Sequence, residues 1–125
     1  MSEWTGDELE RVGGSDELRI ASLRADATLG SWRTIWVVRV GDDLYVRSVR
    51  GRSSDWFRAA RLRHEGRIRS GGVEKDVTFV EPDDQAAGRI DAAYREKYRR
   101  YPGGVVGSTL TPEARSATLR LVPRP

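Results

Sequence analysis

Residues 33–68 read RTIWVVRVGDDLYVRSVRGRSSDWFRAARLRHEGRI. Two β-rich runs open the stretch, RTIWVVRV at 33–40 and LYVRSVR at 44–50, joined by Gly41-Asp42-Asp43, a connection rich in residues that tolerate turn geometry. They predict a hairpin. Trp36, Val38 and Val40 fall on one face of the first run and Ile35 and Val37 on the other, so both faces are expected to be covered, as in a small barrel. After Gly51-Arg52-Ser53-Ser54-Asp55 the period turns helical. Trp56, Ala59 and Ala60 share one face, arginines surround the rest, and Gly66 stops the helix.

Toward the N-terminus, Thr5 ahead of Gly6, Asp7 and Glu8 predicts a capped short helix near 6–12, ended by Gly13-Gly14. Residues 17–24 alternate as a half-buried strand, and ADATLGSW reads as loop. Toward the C-terminus, GRIRSGG and VEKDVTFVE predict a second hairpin turning on Gly71-Gly72, with Pro82 closing it. Residues 84–101 set Ala87, Ile90, Tyr94, Tyr98 and Tyr101 at three- and four-residue steps, and Asp91 to Arg95 adds an i,i+4 pair, so the longest helix is expected there. PGGVVGSTLTP at 102–112 is expected to be irregular, and ATLRLV at 117–122 alternates as a closing strand. Six short strands, a helix after the third and a longer helix before the last predict an α+β fold on a six-stranded antiparallel barrel, as a single domain over 1–125.

Composition narrows the chemistry. The 125 residues carry no cysteine and one histidine, which excludes thiolate metal sites and a catalytic Cys and leaves no spare imidazole for a Ser-His pair. No metal site is expected, and His64, near the end of a basic helix, is not nominated. The start has no basic, apolar leader and no window approaches a membrane span, so the expected address is the cytoplasm with no membrane partner. Arginine outnumbers lysine 20 to 2. Residues 47–69 hold eight arginines against Asp55 and Glu65, a local +6 inside a chain of net +3.

That excess coincides with a set of donors. Arg47, Ser48 and Arg50 end a strand, Gly51 turns, Arg52, Ser53 and Ser54 follow, and a helix then opens with unpaired amides and a dipole that favours anions. Forked guanidinium donors with helix amides suit a phosphate or another dianion, and Trp56, one turn in, offers a plane for a ring. The plain alternative is that Ser53 or Ser54 caps the helix, the arginines are solvated and Trp56 anchors the core.

Residues 33–68 resemble the core of the split β-barrel flavin-binding superfamily, which includes pyridoxamine-phosphate-oxidase-like proteins and deazaflavin-dependent nitroreductases. The whole chain, IDAAYREKY at 90–98 included, also resembles an uncharacterised bacterial family (domain of unknown function 2255) assigned to that superfamily. The resemblance implies FMN or a deazaflavin coenzyme, with Arg33, Arg47, Ser48, Arg52, Ser53 and Ser54 at its phosphate and ribityl chain and Trp56 at an aromatic position of the deazaflavin branch. It also implies a homodimer with the cofactor between two barrels. The sequence departs from the oxidase pattern, with His64-Glu65-Gly66 in place of an Asn-Pro after the short helix.

The leading expectation is a flavin- or deazaflavin-binding oxidoreductase acting on a small molecule, in which the cofactor does the redox chemistry and no side-chain nucleophile is needed. A second is a non-catalytic split-barrel dimer binding a phosphorylated or anionic ligand. Single-stranded nucleic-acid binding, through Tyr45, Trp56 and Phe57, ranks last because the net charge is modest. Tyr94 and Lys97 stand as outside candidates, and the 102–112 segment as either a lid or a connection.

Overall fold

The computed structural model describes residues 3–124. Within them β1 (Glu17–Ser22), β2 (Arg33–Val40), β3 (Asp43–Arg47), β4 (Glu65–Ser70), β5 (Val73–Val80) and β6 (Thr118–Pro123) close an antiparallel barrel in the order β1-β2-β3-β6-β5-β4. The helices are α1 (Gly6–Gly13), α2 (Asp55–Arg63), α3 (Ala87–Lys97), α4 (Gly103–Gly107) and α5 (Pro112–Ser116). The fold class and both hairpins are those the alternation predicts. At their turns Gly41 (φ +62°) and Gly71-Gly72 (φ +58° and +83°) take the left-handed backbone that glycine adopts without strain.

Alternation divides the core in two. Leu18, Ile20, Val37, Leu44, Val46, Ile68, Val77, Phe79, Leu119 and Leu121 fill the barrel, joined by Leu9 and Val12 of α1 and Phe57 and Ala60 of α2. On the other face of β2 and β3, Val38 and Tyr45 pack against Ile90 and Tyr94 of α3 and the adjoining Tyr98. The second layer explains why β2 is apolar on both faces. Each large side chain so buried stabilises the fold by about 1.5–3 kcal/mol. α1 is capped by Thr5 as expected, and the cap is a full box: Thr5 Oγ1 accepts from Glu8 N and Glu8 Oε1 accepts from Thr5 N.

Several expectations need correction. Segment 102–112 is not irregular: α4 and the start of α5 lie in it. Thr111 caps α5, its hydroxyl accepting from Ala114 N, with Pro112 in the first turn, and Val106 anchors α4 by burial. The glycines and short lengths hide helices that caps and tertiary contacts hold. α2 buries Phe57 and Ala60, leaving Trp56 and Ala59 half-buried, and it stops at His64, whose left-handed φ of 63° ends the helix two residues before Gly66. β3 ends at Arg47, so residues 48–50 already belong to the turn.

Candidate functional site

β3 delivers its last side chain, Arg47, to the outer face of the barrel beneath α3. Arg47 is buried, and its guanidinium donates to Asp91 Oδ1 at 2.5 Å, to Thr109 O at 2.9 Å and to Thr118 Oγ1 at 3.0 Å. Arg115 Nη2 meets the other Asp91 oxygen at 2.7 Å. Burial pushes the Asp91 carboxyl up, but hydrogen bonds from Arg115 and Arg47 outweigh it and hold the group below its ordinary value. Asp91 therefore pairs with Arg47 and Arg115, and not with Arg95, which is exposed.

Beyond Arg47 the chain turns on itself. Ser48 N donates to Ala117 O, Gly51 N returns to Ser48 O, and Gly51–Ser53 makes one tight turn ahead of α2. Ser54 is the N-cap residue of α2 by backbone, yet its hydroxyl forms no cap; it meets Ser48 Oγ at 2.7 Å. The first-turn amides of α2 are thus left without a side-chain partner, with the helix dipole behind them.

These elements enclose a cleft of about 800 Å³, within the range of small-molecule sites. Seven of the nine nominated residues line it: Arg33, Arg47, Ser48, Arg50, Ser53, Ser54 and Trp56. Arg33 and Arg50 are exposed, and the carboxylate of Asp55 shares the same lining. With Arg47 answered by Asp91, the lining keeps one net positive charge. Trp56 is half-buried, its ring edge-on to Phe57.

Gly51 and Arg52 lie elsewhere. Gly51 (φ +81°) makes the turn and packs on Glu113, while Arg52 turns to Glu81 Oε1 (2.6 Å) and Ser116 O (2.5 Å). That hydrogen bond lowers the pKa of Glu81.

The rest of the cleft lies outside the nominated set, with Tyr94 expected from sequence only as an outside candidate. Tyr94 of α3 and Val105, Ser108 and Thr109 around α4 line it, and Trp36 of β2 stacks on Tyr98 at 3.8 Å with the rings within 3° of parallel. Asp91 carried a readable signal, a carboxylate inside the apolar stripe of a helix; nothing in a glycine-rich connection marked Ser108 or Thr109. Lys97 is not part of the cleft. Burial lowers its amine to about 8, and Nζ donates to Val37 O at 2.5 Å beside the Tyr98 hydroxyl, which bonds the same carbonyl. Tyr45 and Phe57 are buried, so of the three aromatics that suggest base stacking only Trp56 reaches the surface.

Among the described residues no group of three or more acidic or histidine side chains could hold a metal ion, and no helix is long and apolar enough to cross a membrane. The family model described as an uncharacterized protein conserved in bacteria (DUF2255) matches residues 8–121. The chain belongs to this family. No curated protein matches the DUF2255 chain. Solved structures similar to it include a putative pyridoxamine 5′-phosphate oxidase from Listeria innocua, at 15% identity and TM-score 0.63 over 94% of this chain and 90% of that one. An FAD-binding protein from Mesorhizobium loti shares 14% identity, with TM-score 0.56 over 98% and 91%. An F420 reductase shares 16%, with TM-score 0.54 over 93% and 91%. At such identities the likeness is one of fold: this DUF2255 protein has the split-barrel architecture of those proteins.

Proposed function

We propose that the protein binds a phosphorylated flavin-type cofactor, FMN or a deazaflavin coenzyme, in this cleft and serves as an oxidoreductase for a small molecule. The observation that carries the reading is that Ser53, Ser54, Arg33 and Arg50 line one cleft together with the first turn of α2, whose N-terminus has no side-chain cap, and that the cleft is large enough for a ring system. Arg33 and Arg50 supply charge, and the serines and amides supply directed donors without a further ion to desolvate. Trp36 and Trp56 give the cleft aromatic walls. Arg47 has a different task here: tied to Asp91, it fixes the floor. Arg52 takes no part. The neighbours named for FAD and F420 lend the reading support on the same fold.

The residues present fit such a group in size and donor chemistry. When bound, the cofactor supplies hydride or electron transfer; the chain holds its phosphate, orients the ring and excludes water. The protein acts as a homodimer. Val49 and Val105 at the cleft and Leu62 on α2 are exposed apolar side chains that a second copy would cover. Native mass spectrometry of protein incubated with FMN tests both points. Expected is a dimer carrying up to two FMN; a monomer that stays at its bare mass in FMN and in a deazaflavin phosphate would overturn the proposal.

A further inference from the structure

Among the described residues two buried side-chain polar atoms lack any hydrogen-bond partner: Tyr94 Oη and Arg120 Nε. Arg120 is half-buried, and only its Nε is both buried and unpaired. Tyr94 is different. Its side chain is fully buried, it lines the cleft, and the Arg47 guanidinium lies 5.4 Å over its ring. Leaving a buried hydroxyl unpaired is unfavourable by about 1–3 kcal/mol, and such groups are rare in folded proteins.

Packing does not account for the hydroxyl. Tyr94 contributes its ring to the layer between α3 and β2, near-parallel to Tyr98 at 6.0 Å between centroids, and a phenylalanine would make the same contact. Tyr98, one turn on, shows what a structural tyrosine hydroxyl does in this layer: its one proton lies within reach of the Asp16 and Val37 carbonyls, and its oxygen accepts from Val37 N. The Tyr94 hydroxyl has no comparable set: its polar neighbour is the Arg47 backbone amide, itself a donor, and among the described residues no acceptor stands within hydrogen-bond reach of its proton. Burial raises its pKa, so at neutral pH the group keeps its proton and can only be satisfied by an acceptor.

We infer that Tyr94 Oη is a ligand-facing donor, and that its acceptor is a carbonyl oxygen or unprotonated ring nitrogen on the conjugated ring of the cleft's occupant. The inference rests on the flavin-type reading above and adds a second recognition point to it. The α2 end of the cleft takes the dianion, and Tyr94, with Trp36 beside it in the lining, reads the ring. The site thus selects a planar, acceptor-edged ring that carries a phosphate, over a bare sugar phosphate or an apolar ring.

The test is Tyr94→Phe, measured by FMN binding, by inorganic phosphate competition and by the melting temperature of the unliganded protein. A donor role predicts about tenfold weaker FMN binding, unchanged affinity for phosphate, and an equal or higher melting temperature, because the unpaired hydroxyl is gone. Equal FMN binding by variant and wild type would overturn the inference and leave the cofactor reading standing. Equal loss of FMN and phosphate with a lowered melting temperature would assign Tyr94 to packing and also overturn it. Wild-type protein that binds no FMN would sink the cofactor reading itself, and the inference with it.

Discussion

Asp91 sits between two guanidinium groups, Arg47 and Arg115, and the floor of the cleft depends on it. Removing its charge leaves the buried Arg47 with neutral acceptors alone, Thr109 O, the Thr118 hydroxyl and the amide oxygen of the substituted side chain. Asp91→Asn is expected to destabilise the protein by about 3 kcal/mol, the magnitude typical of an uncompensated buried charge. The pH dependence follows from the depressed pKa. A carboxylate held below its unfolded value of 3.8 contributes stability that is present above that value and is lost as pH falls through the folded pKa. Urea midpoints of wild type and variant should differ most near neutrality and converge in acid; a gap that stays constant into acid would contradict the pairing. At the same scale, Arg47 and Arg52 are nominated alike by sequence and part company in the structure, one buried under α3 and the other bound to Glu81. A count of arginines cannot tell these fates apart, because the partners lie 44 and 29 residues away.

Among the elements, β4 closes the barrel by pairing with β1 on one side and β5 on the other, and Gly66 stands where both ladders meet, opposite Ser22 and Val77. A β-carbon at Gly66 would lie 2.2 Å from Ala21 O and 2.8 Å from the Phe79 ring. The backbone contact cannot relax without moving β1. Gly66→Ala is expected to cost about 3 kcal/mol or more and to speed hydrogen exchange at the β1–β4 seam first; a variant as stable as wild type would show the seam to be looser than the register indicates. The hairpins, by contrast, were legible apart from the early end of β3, since period-2 alternation and turn glycines are local properties. The helix over 84–101 was legible too, although its regular part is Ala87–Lys97, after a short turn at Asp84–Ala86. What escaped was non-local. α5 exists through its Thr111 cap and α4 through the burial of Val106, in a segment whose glycines argue against helix, and Phe57 rather than Trp56 takes the fully buried place on α2, a choice that packing against the barrel makes.

For the whole molecule, the barrel is the frame and the cleft lies outside it, where β2 and β3 meet α2, α3 and α4. The general position of the cleft was legible, because a strand, a donor-rich turn and a helix start are contiguous in sequence. Its far wall was legible only in Tyr94, an outside candidate, since Val105, Ser108 and Thr109 arrive from a remote segment that carries no mark of the site. The central claim is that the α2 end of this cleft seats a phosphate group. Calorimetric titration with FMN and with riboflavin, which lacks the phosphate, tests it most directly on wild type, Arg50→Ala and Arg52→Ala. Charge-assisted hydrogen bonds of about 1.5–3 kcal/mol predict FMN bound at least about tenfold more tightly than riboflavin. That preference should shrink in Arg50→Ala and persist in Arg52→Ala. FMN and riboflavin binding with the same affinity, or a preference abolished by Arg52→Ala and untouched by Arg50→Ala, would contradict the account.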